Sequence, residues 1–279
     1  MKPISVRVPA TTANLGPGFD SLGVALTLYN TVTLTSGKVP VSDPFLTEAA
    51  DLFFKTVGKK PTPFQCQIAG DVPRSRGLGS SVTVRLGLLT ALNLRSGKPL
   101  KSSKILDLVI ELEGHPDNAV PAAWGGFCAC GRAGYIRSKI SSALYFVAAI
   151  PDSEMETKKA RAVLPARVSR MDAVTNVQNT ALIVAAFFSR DYEKLTGAFG
   201  DTLHQPYRQK LLPGFSDTLR AAEKSGALGA FLSGSGSTIL AVTLEKPKDV
   251  AKAMREALAK AGHAQVTTHV LQADNKGVV

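Results

Sequence analysis

Residues 73–83 most constrain how this chain can fold, because they form a glycine-containing polar run that leads directly into a helical pattern. Gly77 and Gly79 let the backbone turn tightly and approach a ligand without a Cβ in the way. The hydroxyls of Ser80 and Ser81 follow, and residues 82–94 have the apolar spacing of an α-helix. A glycine turn at a helix N-terminus presents unpaired N–H donors and the positive end of the helix dipole. Such a turn favours phosphate, so we predict a nucleotide-binding loop.

This loop differs from the two commoner glycine-rich phosphate-binding motifs. It lacks the lysine of a Walker loop, and Val82 stands where the dinucleotide fingerprint requires a third glycine. A tight strand-to-helix turn that is capped by a serine and binds no ligand would have the same pattern. By itself the loop indicates phosphate and does not identify a reaction.

Composition limits the class of protein. The 279 residues are enough for a large core and for two lobes, and 44% hydrophobic with 20% charged residues is typical of a globular protein. The net charge of +11 would suit an anionic partner, but the basic residues are dispersed and only 6% of residues are aromatic. We therefore expect no nucleic-acid partner. No run of about 18 apolar residues occurs, so we expect no membrane association and a cytoplasmic location.

The three cysteines lack the spacing of a zinc site. Cys128 and Cys130 lie in an apolar stretch, where small buried thiols are expected.

Hydrophobic periodicity predicts strands and helices in an irregular order. Strands are predicted over residues 4–8, 31–35, 64–68, 143–150, 227–232, 238–242 and 265–270, and helices over 82–94, 105–112, 172–188 and 248–261. The polar residues 152–170 are predicted to connect two lobes. Because the strands and helices do not alternate regularly, the pattern favours an α+β fold over a doubly wound parallel sheet.

Residues 9–20 form a second segment of interest, directly after the first predicted strand. They combine the amide of Asn14 and the carboxylate of Asp20 with several residues that favour bends. A binding loop and an ordinary Asx-turn loop are both consistent with this segment.

Residues 111–118 end a predicted helix with carboxylates, an imidazole and an amide close together. The carboxylate of Glu113 suits Mg²⁺, which binds proteins through one or two carboxylates and the phosphates of the substrate. A helix that ends at Gly114, with a solvated His115, is the alternative interpretation.

Two further segments contain basic residues or glycines. Arg161 and Arg208 are of interest because an arginine side chain can bind a carboxylate through two parallel hydrogen bonds, although an isolated arginine is most often a surface residue. Residues 226–237 form a glycine-rich turn between two predicted strands, for which the alternative is a flexible hairpin.

Taken together, these segments resemble the GHMP small-molecule kinases, and within that superfamily the homoserine kinase family. Residues 73–83 are similar to the phosphate loop of the superfamily, and residues 229–237 to its C-terminal motif. Residues 9–20 and 113–127 are similar to homoserine kinases in particular. The resemblance implies an α+β fold of two lobes, an N-terminal ATP-binding lobe (1–151) similar to ribosomal protein S5 domain 2 and a ferredoxin-like C-terminal lobe (152–279), with the active site between them.

The resemblance also implies which residues form the site. The loop that wraps the phosphates of ATP would consist of Pro73, Arg74, Ser75, Arg76, Gly77, Leu78, Gly79, Ser80, Ser81, Val82 and Thr83. Mg²⁺ would be held by Ser80 and Glu113. The residues around the substrate would be Asn14, Asp20, His115, Asn118, Thr157, Arg161 and Arg208, of which Asn118 and Arg161 would be catalytic.

The implied reaction is the transfer of a phosphoryl group from ATP to the side-chain hydroxyl of L-homoserine, in threonine biosynthesis. The two arginines would bind the carboxylate, Asp20 would face the ammonium group, and Asn118 would bind the hydroxyl. Several relatives have a catalytic aspartate near this hydroxyl, whereas homoserine kinases have an amide. The hydroxyl would therefore lose its proton late, towards the transferring phosphate.

Two alternatives stay open at this point. Another small alcohol, such as mevalonate, would suit the same superfamily, although mevalonate has no ammonium group for Asp20. A non-catalytic relative would be expected to lose the loop glycines, Ser80 or Glu113, and all are present. Homoserine kinases are often dimers, so a homodimer is compatible with the resemblance, although no sequence feature marks an interface.

The chain departs from the family pattern in two places. Val82 and Thr83 replace a common pair of alanines, which predicts a bulkier first turn of the helix. Ser235 and Ser237 replace the usual alanine and proline, which predicts a looser C-terminal turn. Both changes are expected to affect nucleotide affinity rather than the reaction.

Overall fold

The computed structural model describes residues 2–37, 39 and 41–279, and in these residues the strands form two antiparallel sheets. The first sheet contains β1 (Ile4–Ala13), β2 (Leu22–Ser36), β3 (Phe64–Gly70), β4 (Phe127–Gly131) and β5 (Gly134–Ser138). Its helices are α1 (Pro44–Thr56), α2 (Ser80–Arg95), α3 (Ser102–Glu113) and α4 (Ala119–Trp124). The α+β class is confirmed.

The strands predicted at the start of the chain are present, but β1 is longer than its alternating pattern indicates. It continues through Ala13, so the first part of the predicted loop over residues 9–20 is strand. The register with β2 shifts between Pro9 and Ala10, and this irregularity accommodates a proline within the sheet. Residues 10–13 are fully buried, so the polar and apolar alternation that marks a half-exposed strand is absent there.

Helix α1 was not predicted, although its start carries a recognisable signal. The carboxylate of Asp43 accepts a hydrogen bond of 2.9 Å from the backbone N–H of Phe45, and Pro44 occupies the first helical turn. Both features are typical of a helix N-terminus. Helices α2 and α3 agree with their predictions and begin two or three residues earlier than the apolar spacing indicates.

The second sheet contains β6 (Tyr145–Pro151), β7 (Gly229–Leu232), β8 (Ile239–Thr243) and β9 (Val266–Leu271), in the order β7-β8-β6-β9. Helices α5 (Thr157–Ala162), α6 (Arg170–Ser189), α7 (Gln205–Arg208) and α8 (Phe215–Lys224) separate β6 from β7, and α9 (Pro247–Lys260) separates β8 from β9. This β-α-β-β-α-β arrangement of antiparallel strands is the ferredoxin-like topology that the resemblance implied.

The division between the lobes at 151/152 needs correction. Strand β6 pairs with β8 and β9, so it belongs to the second sheet although it lies within residues 1–151. The change of sheet falls between Ser138, where β5 ends, and Tyr145, where β6 begins. An apolar strand carries no sequence signal for the sheet that it joins, so the polar segment after it predicts a boundary that lies too late in the chain.

The two lobes share a hydrophobic core. One cluster of buried residues includes Phe127 of the first sheet, Phe146 of the second sheet and Phe187 of α6. The rings of Phe127 and Phe187 stack with their centroids 4.3 Å apart. Cys128 and Cys130 are buried as predicted, and burial raises the pKa of the Cys128 thiol to about 12. Among the described helices, none combines the length and apolar composition that crossing a bilayer requires.

Candidate active site

A cleft of about 610 Å³ lies where loops of the first sheet meet loops of the second, a volume typical of small-molecule sites. The segments that the sequence singled out all contribute to its walls. Its lining includes Asn14, Asp20, Ser80, Glu113, His115, Asn118, Thr157, Arg161, Arg208 and Gly234.

The glycines of the predicted phosphate loop occupy positions that other residues could not fill. Gly77 and Gly79 have φ values of +74° and +67°, in the left-handed region. A Cβ at Gly77 would lie 2.1 Å from the carbonyl oxygen of Ser233, and one at Gly79 would lie 2.0 Å from the hydroxyl of Thr11. The loop is therefore packed against both a strand of the first lobe and a turn of the second.

The loop ends at the N-terminus of α2, where the first-turn N–H groups are available to a ligand. Gly79 is the N-cap residue, and no side chain among the described residues caps this helix. Unpaired N–H groups and the helix dipole make such a terminus suitable for phosphate.

Most of the predicted loop residues line the cleft, namely Arg74, Ser75, Arg76, Gly77, Gly79, Ser80, Ser81 and Val82. Pro73, Leu78 and Thr83 are not among the lining residues. Leu78 and Thr83 are buried in the interior, so their side chains support the loop rather than face a ligand.

The Val82–Thr83 pair is accommodated by packing rather than by widening the loop. Val82 is buried in the core of the first lobe. The hydroxyl of Thr83 donates to the carbonyl oxygen of Ser80 at 2.7 Å and accepts from the amide of Asn30 at 2.8 Å. Asn30 thus satisfies the extra polar group that Thr83 brings into the interior.

The glycine-rich turn between β7 and β8 anchors the phosphate loop from the other lobe. The hydroxyl of Ser233 donates to the carbonyl oxygen of Gly77 at 2.7 Å, and the N–H of Thr238 donates to that of Arg76 at 3.1 Å. Ser237 is fully buried and its hydroxyl donates to the carbonyl oxygen of Ser153. Ser233 and Ser237 therefore tie this turn to neighbouring loops, and a looser turn than the one with alanine and proline stays a prediction.

Glu113 lies at the end of α3, opposite the start of α2. Its Oε2 accepts a hydrogen bond of 2.8 Å from the hydroxyl of Ser81, and its Oε1 lies 3.1 Å from Nη1 of Arg85. The hydroxyl that contacts Glu113 is thus that of Ser81 and not that of Ser80, the predicted metal ligand. Carboxylate and hydroxyl oxygens beside a phosphate loop are the hard donors that suit Mg²⁺, so the donor set fits this ion.

At the other end of the cleft, the guanidinium of Arg161 pairs with the carboxylate of Asp20 through two hydrogen bonds of 2.7 and 3.1 Å. The guanidinium groups of Arg161 and Arg208 lie 5.3 and 5.2 Å from the ring centroid of Phe19. The two arginines therefore converge on one region, as expected for groups that bind one carboxylate.

Arg208 is buried and is held by polar groups on several sides. Its Nε and Nη1 donate to the carbonyl oxygens of Ala160 and Gly234, each at 3.0 Å. Nη1 also lies 3.3 Å from Nδ1 of His204, which must accept because a guanidinium only donates. Burial lowers the pKa of Arg208 to about 10, with Arg161 contributing in the same direction, so Arg208 keeps its charge at neutral pH.

Asn14 uses its side-chain amide within the protein. Its Oδ1 accepts from the backbone N–H of Asp20 at 3.0 Å, and its Nδ2 donates to the carbonyl oxygen of Gly234 at 2.9 Å. Asn14 and Asp20 both have positive φ values, of 73° and 54°. Asn14 thus orients the loop that carries Asp20.

His115 is held by a residue that the sequence interpretation did not select. Its Nδ1 lies 2.6 Å from Oδ1 of the buried Asp117, and this hydrogen bond raises the pKa of His115. The ligating atoms of Asp20, His115 and Asp117 lie within 4.8 Å of one another. The carboxylate of Asp117 also accepts from the backbone N–H of Asn118 at 3.1 Å. The sequence did carry a signal for this contact, because a carboxylate at position 117 follows the histidine at position 115 by two residues.

Asn118 precedes α4 and lies beside the phosphate loop. Its Oδ1 accepts a hydrogen bond of 2.7 Å from the hydroxyl of Thr11 in β1. Its Nδ2 has no hydrogen-bond partner within residues 2–37, 39 and 41–279, so this N–H₂ group is available to a ligand.

One wall of the cleft was missed altogether. Beyond the phosphate loop, the lining continues with Asp43, Phe45, Leu46, Ile68 and Arg85. The guanidinium of Arg85 lies 4.4 Å from the ring centroid of Phe45. Asp43 precedes α1 and the others belong to α1, β3 and α2, and no local pattern in the sequence brings them together.

Comparisons with known proteins give matches along the whole length of the chain. Residues 44–126 match the family model for the GHMP kinases N terminal domain, and residues 183–264 match GHMP kinases C terminal. A homoserine kinase of Aquifex aeolicus is 40% identical, over 99% of this chain and 98% of that protein. The crystal structure of homoserine kinase from Cytophaga hutchinsonii has a TM-score of 0.90 at 26% identity, over 100% of this chain and 98% of that one.

A more distant structure shows how widely the fold is shared. The mevalonate kinase of Methanococcus jannaschii has a TM-score of 0.73 at 16% identity, over 98% of this chain and 99% of that one. This likeness shows the fold alone, whereas the identity to the Aquifex aeolicus protein extends along nearly the whole of both chains. The chain belongs to the homoserine kinase family of the GHMP kinases.

Proposed function

We propose that this protein transfers the γ-phosphoryl group of ATP to the side-chain hydroxyl of L-homoserine, giving O-phospho-L-homoserine and ADP, as a step of threonine biosynthesis. The observation that carries the proposal is that one cleft joins a phosphate-binding helix terminus to Asp20, Arg161 and Arg208. The relative from Aquifex aeolicus that carries the name homoserine kinase supports the same acceptor. Because the reaction consumes ATP, we expect the enzyme to act in the cytoplasm.

The charged groups of the cleft complement the three polar groups of homoserine. Arg161 and Asp20 neutralise each other across a contact of 2.7 Å. The substrate would supply a carboxylate to Arg161 and Arg208 and an ammonium group to Asp20, so that Arg161 and Asp20 would each keep an opposite charge and Arg208 would gain one. His115 has Nδ1 bound to Asp117, which leaves Nε2 for the ligand. Thr157 lies at the start of α5, next to this region.

Phosphoryl transfer requires positioning and charge neutralisation more than covalent chemistry. Residues 73–83 and the start of α2 would hold the phosphates of ATP. Mg²⁺, held by Glu113 and Ser80, would neutralise charge on the phosphates when bound. Asn118 would donate a hydrogen bond to the hydroxyl oxygen of homoserine. An amide is not a strong base, so the proton would leave this hydroxyl late, towards the transferring phosphate.

The second candidate function is phosphorylation of another small alcohol, such as mevalonate, on the same fold. The discriminating residue is Asp20, which is positioned by Asn14 and faces the cleft. Mevalonate has no ammonium group to pair with this carboxylate. An amino-acid acceptor therefore fits the charges of the site better.

The test is an assay of the purified protein with ATP and Mg²⁺ and, separately, homoserine, serine, threonine or mevalonate. ADP release should be fastest with homoserine, and phosphorus NMR should identify the product as a phosphate ester. Turnover of another alcohol without turnover of homoserine would contradict the proposal. Light scattering of the same preparation measures its molar mass and tests whether the protein forms a homodimer.

Substitution of two adjacent serines tests whether Ser80 or Ser81 is the magnesium ligand. If Ser80 is the ligand, Ser80→Ala should raise the Mg²⁺ concentration that gives half-maximal activity by about 10-fold or more, the scale of a lost ligand-orienting contact. Ser81→Ala, which removes the contact with Glu113, should have the smaller effect. Calorimetry of Mg²⁺-dependent binding of a non-hydrolysable ATP analogue gives a readout that does not depend on turnover. The reverse order would assign the metal to Ser81.

A further inference from the structure

Thr11 lies at the junction of the phosphate loop and the acceptor site, although the sequence interpretation gave it no role. The residue is fully buried in β1. Its backbone N–H donates to the carbonyl oxygen of Leu78 in the phosphate loop at 3.2 Å. Its hydroxyl donates to Oδ1 of Asn118 at 2.7 Å. One residue therefore contacts both the loop proposed to hold ATP and the amide proposed to bind the acceptor hydroxyl.

We propose that the hydroxyl of Thr11 is a positioning group that holds the Asn118 carboxamide by its oxygen, with the N–H₂ edge towards the substrate. The proposal rests on the function proposed above, in which Asn118 binds the acceptor hydroxyl. A carboxamide is planar, with an acceptor on one side and a donor on the other. Because Thr11 binds Oδ1, the N–H₂ group is the part of the amide that remains for the ligand.

This orientation determines what Asn118 does in the reaction. An N–H₂ group donates to a lone pair of the acceptor oxygen and cannot receive the proton of that hydroxyl. In the opposite orientation, Oδ1 of Asn118 would accept a hydrogen bond from the hydroxyl of the substrate. The lone pairs of that hydroxyl oxygen would then receive no hydrogen bond from the amide. In the orientation that the structure shows, with Oδ1 bound to Thr11, the acceptor oxygen would be held by a donor and its proton would be free to leave towards the transferring phosphate.

The surroundings of Thr11 keep its hydroxyl in this place. Gly79 packs directly against it, since a Cβ at Gly79 would lie 2.0 Å from the Thr11 hydroxyl and 3.3 Å from Oδ1 of Asn118. On the far side of Asn118, the backbone N–H of that residue is bound to Asp117. The Thr11 hydroxyl therefore lies in close packing against Gly79, and the backbone that carries Asn118 is held by Asp117.

The experiment is a double-mutant cycle with Thr11→Val, which removes the hydroxyl at nearly constant volume, and Asn118→Ala. In the wild-type background, Thr11→Val should lower kcat by about 10-fold, as expected for one lost hydrogen bond, with KM for ATP changed less than about 2-fold. In the Asn118→Ala background, Thr11→Val should change kcat by less than about 2-fold. Thr11→Ser keeps the hydroxyl and should recover most of the wild-type kcat.

Equal losses of kcat in both backgrounds would overturn the proposal, because Thr11 would then act independently of Asn118. A second readout is the pair of side-chain N–H₂ signals of Asn118 in the ¹⁵N spectrum, which Asn118→Ala identifies and Thr11→Val should shift. Unshifted signals would also overturn it. Thermal unfolding of each variant shows whether a loss of kcat reflects loss of folded protein. Failure of the wild-type protein to phosphorylate homoserine would instead contradict the proposed function, and the N–H₂ signals would still test the role of Thr11.

Discussion

At the residue scale, the acceptor end of the cleft depends on charges that come from distant parts of the chain. Arg161 and Asp20 are separated by 141 positions in sequence, yet their side chains form two hydrogen bonds. Arg208 reaches the same region from a third segment and is buried among carbonyl oxygens. Arg161 and Asp20 partner each other, whereas Arg208 is held by neutral carbonyl oxygens and His204, so a bound carboxylate would supply Arg208 with an opposite charge.

Substitution of Arg161 should weaken binding of the amino acid specifically. Arg161→Ala removes one of two groups proposed to bind the carboxylate, so we expect KM for homoserine to rise by about 10-fold or more. KM for ATP should stay nearly constant. Lys158→Ala, an exposed cation on the same helix, is the matched control and should leave both KM values unchanged. Steady-state kinetics check this, and an unchanged KM in Arg161→Ala would indicate a structural role.

The pair of His115 and Asp117 predicts a dependence of stability on pH. The hydrogen bond from Asp117 raises the pKa of His115 above its ordinary value of 6.5. The folded state therefore binds the proton more tightly than the unfolded state. This stabilisation is fully present below pH 6.5 and is lost as the pH rises through the folded pKa of His115.

Asp117→Asn should remove this contribution and lower the pKa of His115. The free energy of unfolding should then fall more at pH 6 than at pH 8.5, on the order of 1 kcal/mol for each unit by which the pKa had been raised. Chemical denaturation at the two pH values and a histidine NMR titration measure these effects. An unchanged His115 titration in the variant would show that Asp117 does not hold its proton.

At the scale of elements, the ends of α2 show how one helix uses glycine for two purposes. Gly79 at its start and Gly97 just beyond its end both have positive φ values, of 67° and 84°. A Cβ at Gly97 would meet nothing within 4 Å, whereas one at Gly79 would meet Thr11. Gly97 therefore serves the backbone turn alone, and Gly79 serves the turn and the close packing of the site.

The roles of Gly79 and Gly97 can be compared by substituting each with alanine. Gly97→Ala should cost about 1 kcal/mol, the strain of a side chain in the left-handed region, and should leave activity intact. Gly79→Ala should cost more than this and should abolish binding of an ATP analogue, because the loop must move away from Thr11. Denaturation curves and calorimetry compare the two, and equal effects would contradict a packing role for Gly79.

At the scale of the whole molecule, the last residues of the chain return to the first lobe after the second sheet is complete. Val279 exchanges two backbone hydrogen bonds with Arg7, of 2.7 and 3.0 Å. The buried carboxylate of Asp274 accepts from the hydroxyl of Tyr29 at 2.8 Å and from the N–H groups of Lys276 and Gly277, each at 2.7 Å. The tail thus holds the lobes together at a distance from the cleft.

Asp274→Ala should lower stability without altering catalysis. It leaves the Tyr29 hydroxyl and two backbone N–H groups without their acceptor, so we expect a loss of about 2–4 kcal/mol in the free energy of unfolding. Asp51→Ala, at an exposed position on α1, should stay within about 0.5 kcal/mol of wild type. Urea denaturation measures both. A strong effect of Asp274→Ala on KM in folded protein would show that the tail acts on the site.

Much of the fold could be predicted because its elements carry local signals. The alternation in β2 and β3 and the 3.6-residue spacing in α3 and α9 reflect burial of one face, which the sequence shows directly. Helix α2 is buried on nearly all sides, and its long apolar run predicts it. The boundary between the lobes could not be predicted, because β6 is buried on both faces and its residues indicate a strand without indicating its neighbours. Residues 10–13 were missed as strand for the same reason.

The sequence by itself determined which chemical groups are available to this protein: the glycines that permit the loop, the hydroxyls and carboxylate proposed to hold a metal, and the arginines and amide proposed to bind an amino acid. Loop residues 73–83 could be recognised because a phosphate site is built from consecutive residues at one helix terminus. Only the tertiary structure decided that Ser81 contacts Glu113, that Arg161 pairs with Asp20, and that Thr11 orients Asn118. These contacts join residues far apart in the chain, and a side chain's partner depends on how the two sheets pack against each other.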